Sequence, residues 1–145
     1  VVASDTEKAY AAGLFDGEGS VIIQRREKDG CTPSTMLVVS VTITTPAAVD
    51  FLRATFGGYT NSWQPRGNRQ RAHRWRLRGE AAFLFLQDVF PYLIIKREHA
   101  KVGIEFQSAR PRYGGRQPLS DSELWIDLEY YEEMKRLNKK GRWRD

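Results

Sequence analysis

Asp16 and Glu18 stand two residues apart in the run Ala11-Ala12-Gly13-Leu14-Phe15-Asp16-Gly17-Glu18-Gly19, at the end of a segment that begins as a helix. Carboxylate oxygens are the ligands that a hard divalent cation takes. A helix end is also the negative pole of the helix dipole, an unfavourable place for acids unless a cation sits there. Ala9, Gly13 and Gly17 recur every four residues and so share one side of that helix. Glycine inside a helix costs about 1 kcal/mol against alanine, a loss that close approach of another backbone offsets. Further along, six arginines (Arg66, Arg69, Arg71, Arg74, Arg76, Arg78) lie between positions 61 and 78 with no acid among them. A one-sided basic surface of this kind is the footprint of a polyanion partner; a solvated basic face is the plain alternative. Lys96, closing the stretch Pro91-Tyr92-Leu93-Ile94-Ile95-Lys96, is a cation suited to stabilising phosphate charge or orienting water, or an ordinary surface lysine that begins a helix.

The elements that must position these groups read off the pattern. Ser4-Asp5-Thr6-Glu7 is a capping box, starting a helix that runs to about Asp16, after which Gly17 and Gly19 release the chain. Residues 20–27 read as a strand and 28–34 as a loop with Gly30 and Pro33. In the strand 36–44, Leu37, Val39, Val41 and Ile43 fall on one face, and Val38, Ser40, Thr42 and Thr44 on the other. Thr45 is placed to cap the next helix with Pro46 in its first turn, and Gly57-Gly58 to end it. Strands follow at 59–64 and 71–78, the latter alternating Trp75 and Leu77 with Arg74, Arg76 and Arg78. Helices at 80–90 (stopped by Pro91) and 96–108, a Gly/Pro/Arg-rich loop at 110–118, and a last helix with a Ser120/Glu123 capping box and a Leu119/Leu124 staple complete the chain. The tail, 141–145, is expected to fray. This order predicts an α+β fold: an αββαββα core with a four-stranded antiparallel sheet, helices on one face and a polar, basic surface on the other.

Composition bounds the class. At 145 residues, 28% charged and 41% hydrophobic, the sequence predicts one globular domain over 1–145, with 119–145 as a helical C-terminal extension. No apolar run reaches the roughly 18 residues of a membrane helix, and the first ten residues lack signal-peptide features. Cys31 is the only cysteine and His73 and His99 the only histidines, which argues against a disulfide or a zinc site and for an intracellular, reducing compartment. Net charge is +5.

The run at 11–19 resembles the LAGLIDADG motif of homing endonucleases, matching at Ala12, Gly13, Leu14, Asp16 and Gly19, with Ala11, Phe15, Gly17 and Glu18 as common variants. The order of elements is that family's core order, so the resemblance covers nearly the whole chain, and one motif copy is similar to the homodimeric branch. The resemblance implies that the motif helix packs against a second copy through Ala9, Ala12, Gly13, Asp16 and Gly17. It implies that Glu18, with the Gly17 carbonyl, binds Mg²⁺ (replaceable by Mn²⁺ or Ca²⁺), Asp16 being structural in preference to a ligand. Lys96 looks like the lysine of the family's Pro-x-Leu-x-x-Lys stretch and would be catalytic with Glu18, Arg97 taking its place if the register is off by one. The expected partner is double-stranded DNA bound as a long pseudo-palindrome and cut in both strands with 3′ overhangs, at the insertion site of a mobile intron or intein.

Base readout would fall to the exposed strand faces, where arginine reads guanine and glutamine adenine: Ser20, Gln24 and Arg26, with Lys28 on the same face but a phosphate contact in preference; Ser40 and Thr42; Asn61 and Trp63; Arg74, Arg76 and Arg78. Trp63 reads equally as core. Arg66, Arg69, Arg71, Lys139, Lys140, Arg142 and Arg144 complete the basic set, mostly as phosphate contacts. The chain departs from the family at Ile43-Thr44-Thr45, where relatives often carry Gln or Asn, and at Ala47, where some carry a basic residue. Two other readings stand beside this one: an RNA maturase or non-cleaving DNA-binding relative, with intron RNA as partner, and an unrelated basic structural protein that leaves Glu18 unexplained.

Overall fold

The structure, a computed structural model, describes residues 2–110 and 119–139. Helix α1 (Asp5–Glu18) starts at a complete capping box: Ser4 N–H donates to Glu7 Oε1 at 2.9 Å and Glu7 N–H to Ser4 Oγ at 3.1 Å. It ends two residues later than the sequence suggests. The Gly19 N–H still reaches the Phe15 carbonyl, so Gly17 and Glu18 belong to the last turn and not to the loop. Gly19 is required there by packing, since a Cβ would stand 2.3 Å from the Phe15 ring.

Strands β1 (Gly19–Arg26), β2 (Ser34–Ile43), β3 (Tyr59–Trp63) and β4 (Ala72–Arg78) form an antiparallel sheet in the order β1-β2-β4-β3. Helix α2 (Pro46–Phe56) connects the central strand β2 to the edge strand β3. Thr45 stands at its N-cap position, but its side chain makes no capping hydrogen bond, so the start rests on Pro46. Gly57 and Gly58 end it at φ of 79° and 90°, and at Gly58 a Cβ would lie 2.6 Å from the Arg76 carbonyl. After β4 come α3 (Gly79–Val89), a 3₁₀ turn over Phe90–Tyr92 that carries Pro91, α4 (Arg97–Ala109) and α5 (Asp121–Asn138).

Strand alternation sorts the sheet into two faces. Val21, Ile23, Leu37, Val39, Val41, Trp75 and Leu77 point under the helices and are buried. Phe85 of α3 is the hub of this core, meeting Phe15, Phe56 and Trp75 edge-to-face at 5.3, 4.9 and 5.0 Å. The Trp75 indole N–H donates to the Gly57 carbonyl at 2.7 Å, tying the α2 end to the central sheet.

Helix α5 starts at the expected Ser120/Glu123 capping box and belongs to the core, with Met134 and Leu137 buried. Its buried Asp127 takes hydrogen bonds from Thr35 Oγ1 and from Arg110 Nη1 (3.0 Å), which also donates to Thr35 Oγ1 at 2.8 Å. At the far end, Asn138 Nδ2 donates to the Val21 carbonyl at 3.0 Å. Among the described residues no helix is long and apolar enough to cross a membrane.

Candidate functional site

The C-terminal turn of α1 gathers the expected chemical groups. Gly17 and Glu18 are exposed. The Gly17 carbonyl is one of the last-turn acceptors that helix geometry leaves without an intrahelical donor. Asp16, in contrast, is only 9% exposed and fully engaged. One carboxylate oxygen accepts from Ile94 N–H at 2.9 Å; the other accepts from Ile95 N–H at 3.0 Å and Lys96 N–H at 2.9 Å. The Lys96 ammonium donates to the Asp16 main-chain carbonyl at 3.1 Å. Lys96 is thereby brought to the turn that carries Glu18, although 78 positions separate them in sequence. Arg97, the alternative to Lys96, lies over the Phe90 ring at 4.5 Å and its Nη1 donates to the Phe90 carbonyl at 3.5 Å.

Glu18 offers an exposed carboxylate beside an unclaimed helix-end carbonyl, oxygen chemistry that suits Mg²⁺ or Ca²⁺. Among the described residues no three His, Cys, Asp or Glu side chains are grouped to hold a metal ion. The oxygens fit, and one chain supplies only part of a coordination shell.

The exposed side of α1 presents Ala9, Gly13 and Gly17, and a Cβ at Gly13 or Gly17 would meet nothing within 4 Å. Nothing among the described residues makes the close approach that a helical Gly13 suggests. Ala12 and Asp16 correct the expected seam: both are buried, Ala12 completely, because they lie on the side of α1 that faces its own core.

The outer face of the sheet carries most of the expected nucleic-acid residues. Strand pairing aligns Ser20 with Ser40, Ser40 with Arg76, Thr42 with Arg74 and Arg74 with Asn61 across it. Arg74 lies over the Trp63 ring at 5.1 Å, which puts Trp63 on this face and not in the core. Ser20 and Ser40 share a hydrogen bond of 2.8 Å. Gln24, Arg26 and Arg78 line a shallow recess with Ser34 and Met36. Tyr59 escaped the sequence reading. Its ring lies 5.5 Å from both the Arg76 and Arg78 guanidiniums and its hydroxyl accepts from Arg78 at 2.7 Å. Its parity with Asn61 and Trp63 was the available signal. Ile22 and Met36, exposed on the same face, were missed for the same reason.

Two of the expected nucleic-acid residues lie off this face. Lys28 is past the end of β1, in the turn closed by Cys31 N–H to the Lys28 carbonyl at 3.0 Å. Arg71 precedes β4 with the parity of His73 and Trp75, and its Nε donates to Ser62 Oγ at 3.2 Å on the helix side. Arg66 and Arg69 are exposed in the β3–β4 turn and Lys139 at the end of α5. Lys140, Arg142 and Arg144 lie outside the described residues, as does most of the 110–118 loop. At the departing junction Ile43 packs against the core, while Thr44 and Thr45 are exposed.

Comparison with known proteins gives this architecture a context. The homing endonuclease I-CvuI, in complex with its target in the presence of calcium, superposes with a TM-score of 0.75 at 18% identity, over 97% of this chain and 87% of that one. The archaeal intron-encoded homing endonuclease I-Vdi141I, complexed with DNA, gives 0.75 at 14% identity, over 97% and 89%. The LAGLIDADG homing endonuclease I-GzeII, with its DNA target, gives 0.65 at 11% identity, over 93% of this chain but 44% of that one. No protein-family model and no curated protein sequence matches the chain. The chain has the LAGLIDADG homing-endonuclease fold.

Proposed function

We propose that this chain is a site-specific DNA endonuclease of the homing type, acting as a pair of identical copies that cuts both strands of a long pseudo-palindromic duplex. The observation that carries the reading is the conjunction at the end of α1: exposed Glu18, Lys96 fastened beside it, and an open Ala9/Gly13/Gly17 stripe. A lone carboxylate makes half a site, and a twofold through that stripe would bring a second Glu18 to complete it. Two carboxylates so close repel one another unless a cation lies between them.

Glu18 and the Gly17 carbonyl of each copy would hold a divalent cation, Mg²⁺ or in its place Mn²⁺ or Ca²⁺, which supplies charge relief on the phosphate and a more acidic water. Lys96 presents an ammonium to the phosphate oxygens, whose negative charge grows in the transition state. Its tether to the Asp16 carbonyl keeps that charge beside Glu18. The outer sheet face brings the duplex to the site: Gln24, Arg26, Arg74, Arg76 and Arg78 are suited to base edges in the major groove. Arg66, Arg69 and Lys139 are suited to phosphates. The structural relatives named above are homing endonucleases bound to DNA, which supports the same assignment here. Cleavage across the minor groove with 3′ overhangs, at the insertion point of a mobile intron, completes the proposal.

The test joins the DNA sequences that flank the gene and incubates that duplex with purified protein and Mg²⁺. A double-strand break with 3′ extensions is the expected product. DNA left intact at saturating protein refutes the nuclease, and binding of the corresponding intron RNA without DNA cleavage would replace it with the maturase reading.

A further inference from the structure

We infer that Asp16 is the positioning residue for Lys96, gripping it at both its main chain and its side chain; this rests on the endonuclease reading of Lys96. Three successive main-chain N–H groups, of Ile94, Ile95 and Lys96, converge on one carboxylate at 2.9, 3.0 and 2.9 Å. Consecutive N–H groups aimed at one anion form a nest, a strong and directional arrangement. The same residue's carbonyl holds the Lys96 ammonium at 3.1 Å.

Helix stability does not account for this acid. A carboxylate in the last turn of α1 opposes the helix dipole, and burying it to 9% exposure costs free energy that only its hydrogen bonds offset. Nor does apolar packing hold the segment it grips. Leu93 is buried, but Ile94 and Ile95 are 83% and 67% exposed, so their side chains find no hydrophobic anchor among the described residues. Lys96 then begins α4 from φ −93° and ψ 14°, a conformation that the Asp16 contacts hold in register with the end of α1. Asp16 thus determines where the Lys96 charge stands relative to Glu18.

The test is single-turnover cleavage at saturating protein, on a duplex selected for cutting by the wild-type protein. Asp16→Asn keeps the side chain's size but leaves one acceptor oxygen. It should cut roughly 10²-fold more slowly, the cost of a misplaced catalytic group, while binding the duplex as before. In a Lys96→Met background the same substitution should cost nothing further. An unchanged rate, or the same fractional loss in both backgrounds, overturns the role. Amide hydrogen exchange of the wild-type protein gives a readout that needs no variant to fold. The Ile94, Ile95 and Lys96 N–H groups should be protected, and exchange at open-loop rates overturns the anchoring. If the selection yields duplexes that the wild-type protein binds but none that it cuts, the endonuclease reading and Asp16's catalytic consequence are overturned, while the amide exchange decides the anchoring separately.

Discussion

At the scale of single residues, two acids that look alike in sequence have opposite lives. Asp16 is spent inside the chain on three N–H groups, and Glu18 is offered to the outside. Glu18→Gln should therefore leave folding and DNA binding intact and abolish cleavage, checked by gel shift and plasmid cutting in parallel; cutting by the variant would remove Glu18 from the site. On the sheet, Arg76→Ala should cost about 1–3 kcal/mol of binding and relax preference at one base pair if Arg76 reads a base. Lys139→Ala should weaken binding evenly across sequences and flatten its salt dependence by about one unit of slope if Lys139 contacts a phosphate. Binding curves against a set of single-base variants at several salt concentrations separate the two. The pairing of acid with lysine was only half legible in the sequence. Glu18 and Lys96 were visible as a motif end and a lysine, but the hydrogen bonds that bring Lys96 to that turn run to Asp16, span 80 positions and follow no local period.

At the scale of elements, the strands and capping boxes were readable because their causes are local. Alternation in β2 and β4 depends on next-nearest neighbours, and Ser4/Glu7 or Ser120/Glu123 on a three-residue reach. The facing of α1 was not readable. Spacing groups Ala9, Gly13 and Gly17, but alanines occupy both sides, and only the folded chain shows that group exposed and Ala11 and Ala12 buried. Gly13→Leu follows from that separation. With nothing within 4 Å of a Cβ, the variant should fold as a monomer with unchanged circular dichroism. Sedimentation should show the loss of self-association, and a dimer as tight as wild type would move the seam elsewhere. Gly58→Ala should behave differently. Its φ of 90° and the Arg76 carbonyl at 2.6 Å predict a loss of more than about 1 kcal/mol in urea unfolding.

At the scale of the whole molecule, stability and chemistry share one framework. Phe85 touches the motif helix through Phe15 and the arginine-bearing strand through its neighbour Trp75. Phe85→Ala should cost roughly 3–5 kcal/mol, and thermal melts with cleavage assays should show both sides of the site failing together. The Arg110–Asp127–Thr35 cluster lay beyond sequence reading, since three polar residues from separate elements have no shared spacing. The contact from Asn138 to the Val21 carbonyl has a broader consequence. A flat sheet with open borders invites chains to zip together side by side into fibres. Here the end of α5 reaches the edge strand β1 through Asn138, and the opposite border, β3, is only five residues long. Lateral strand pairing is discouraged on both flanks, so runaway side-by-side polymerisation through this sheet is disfavoured.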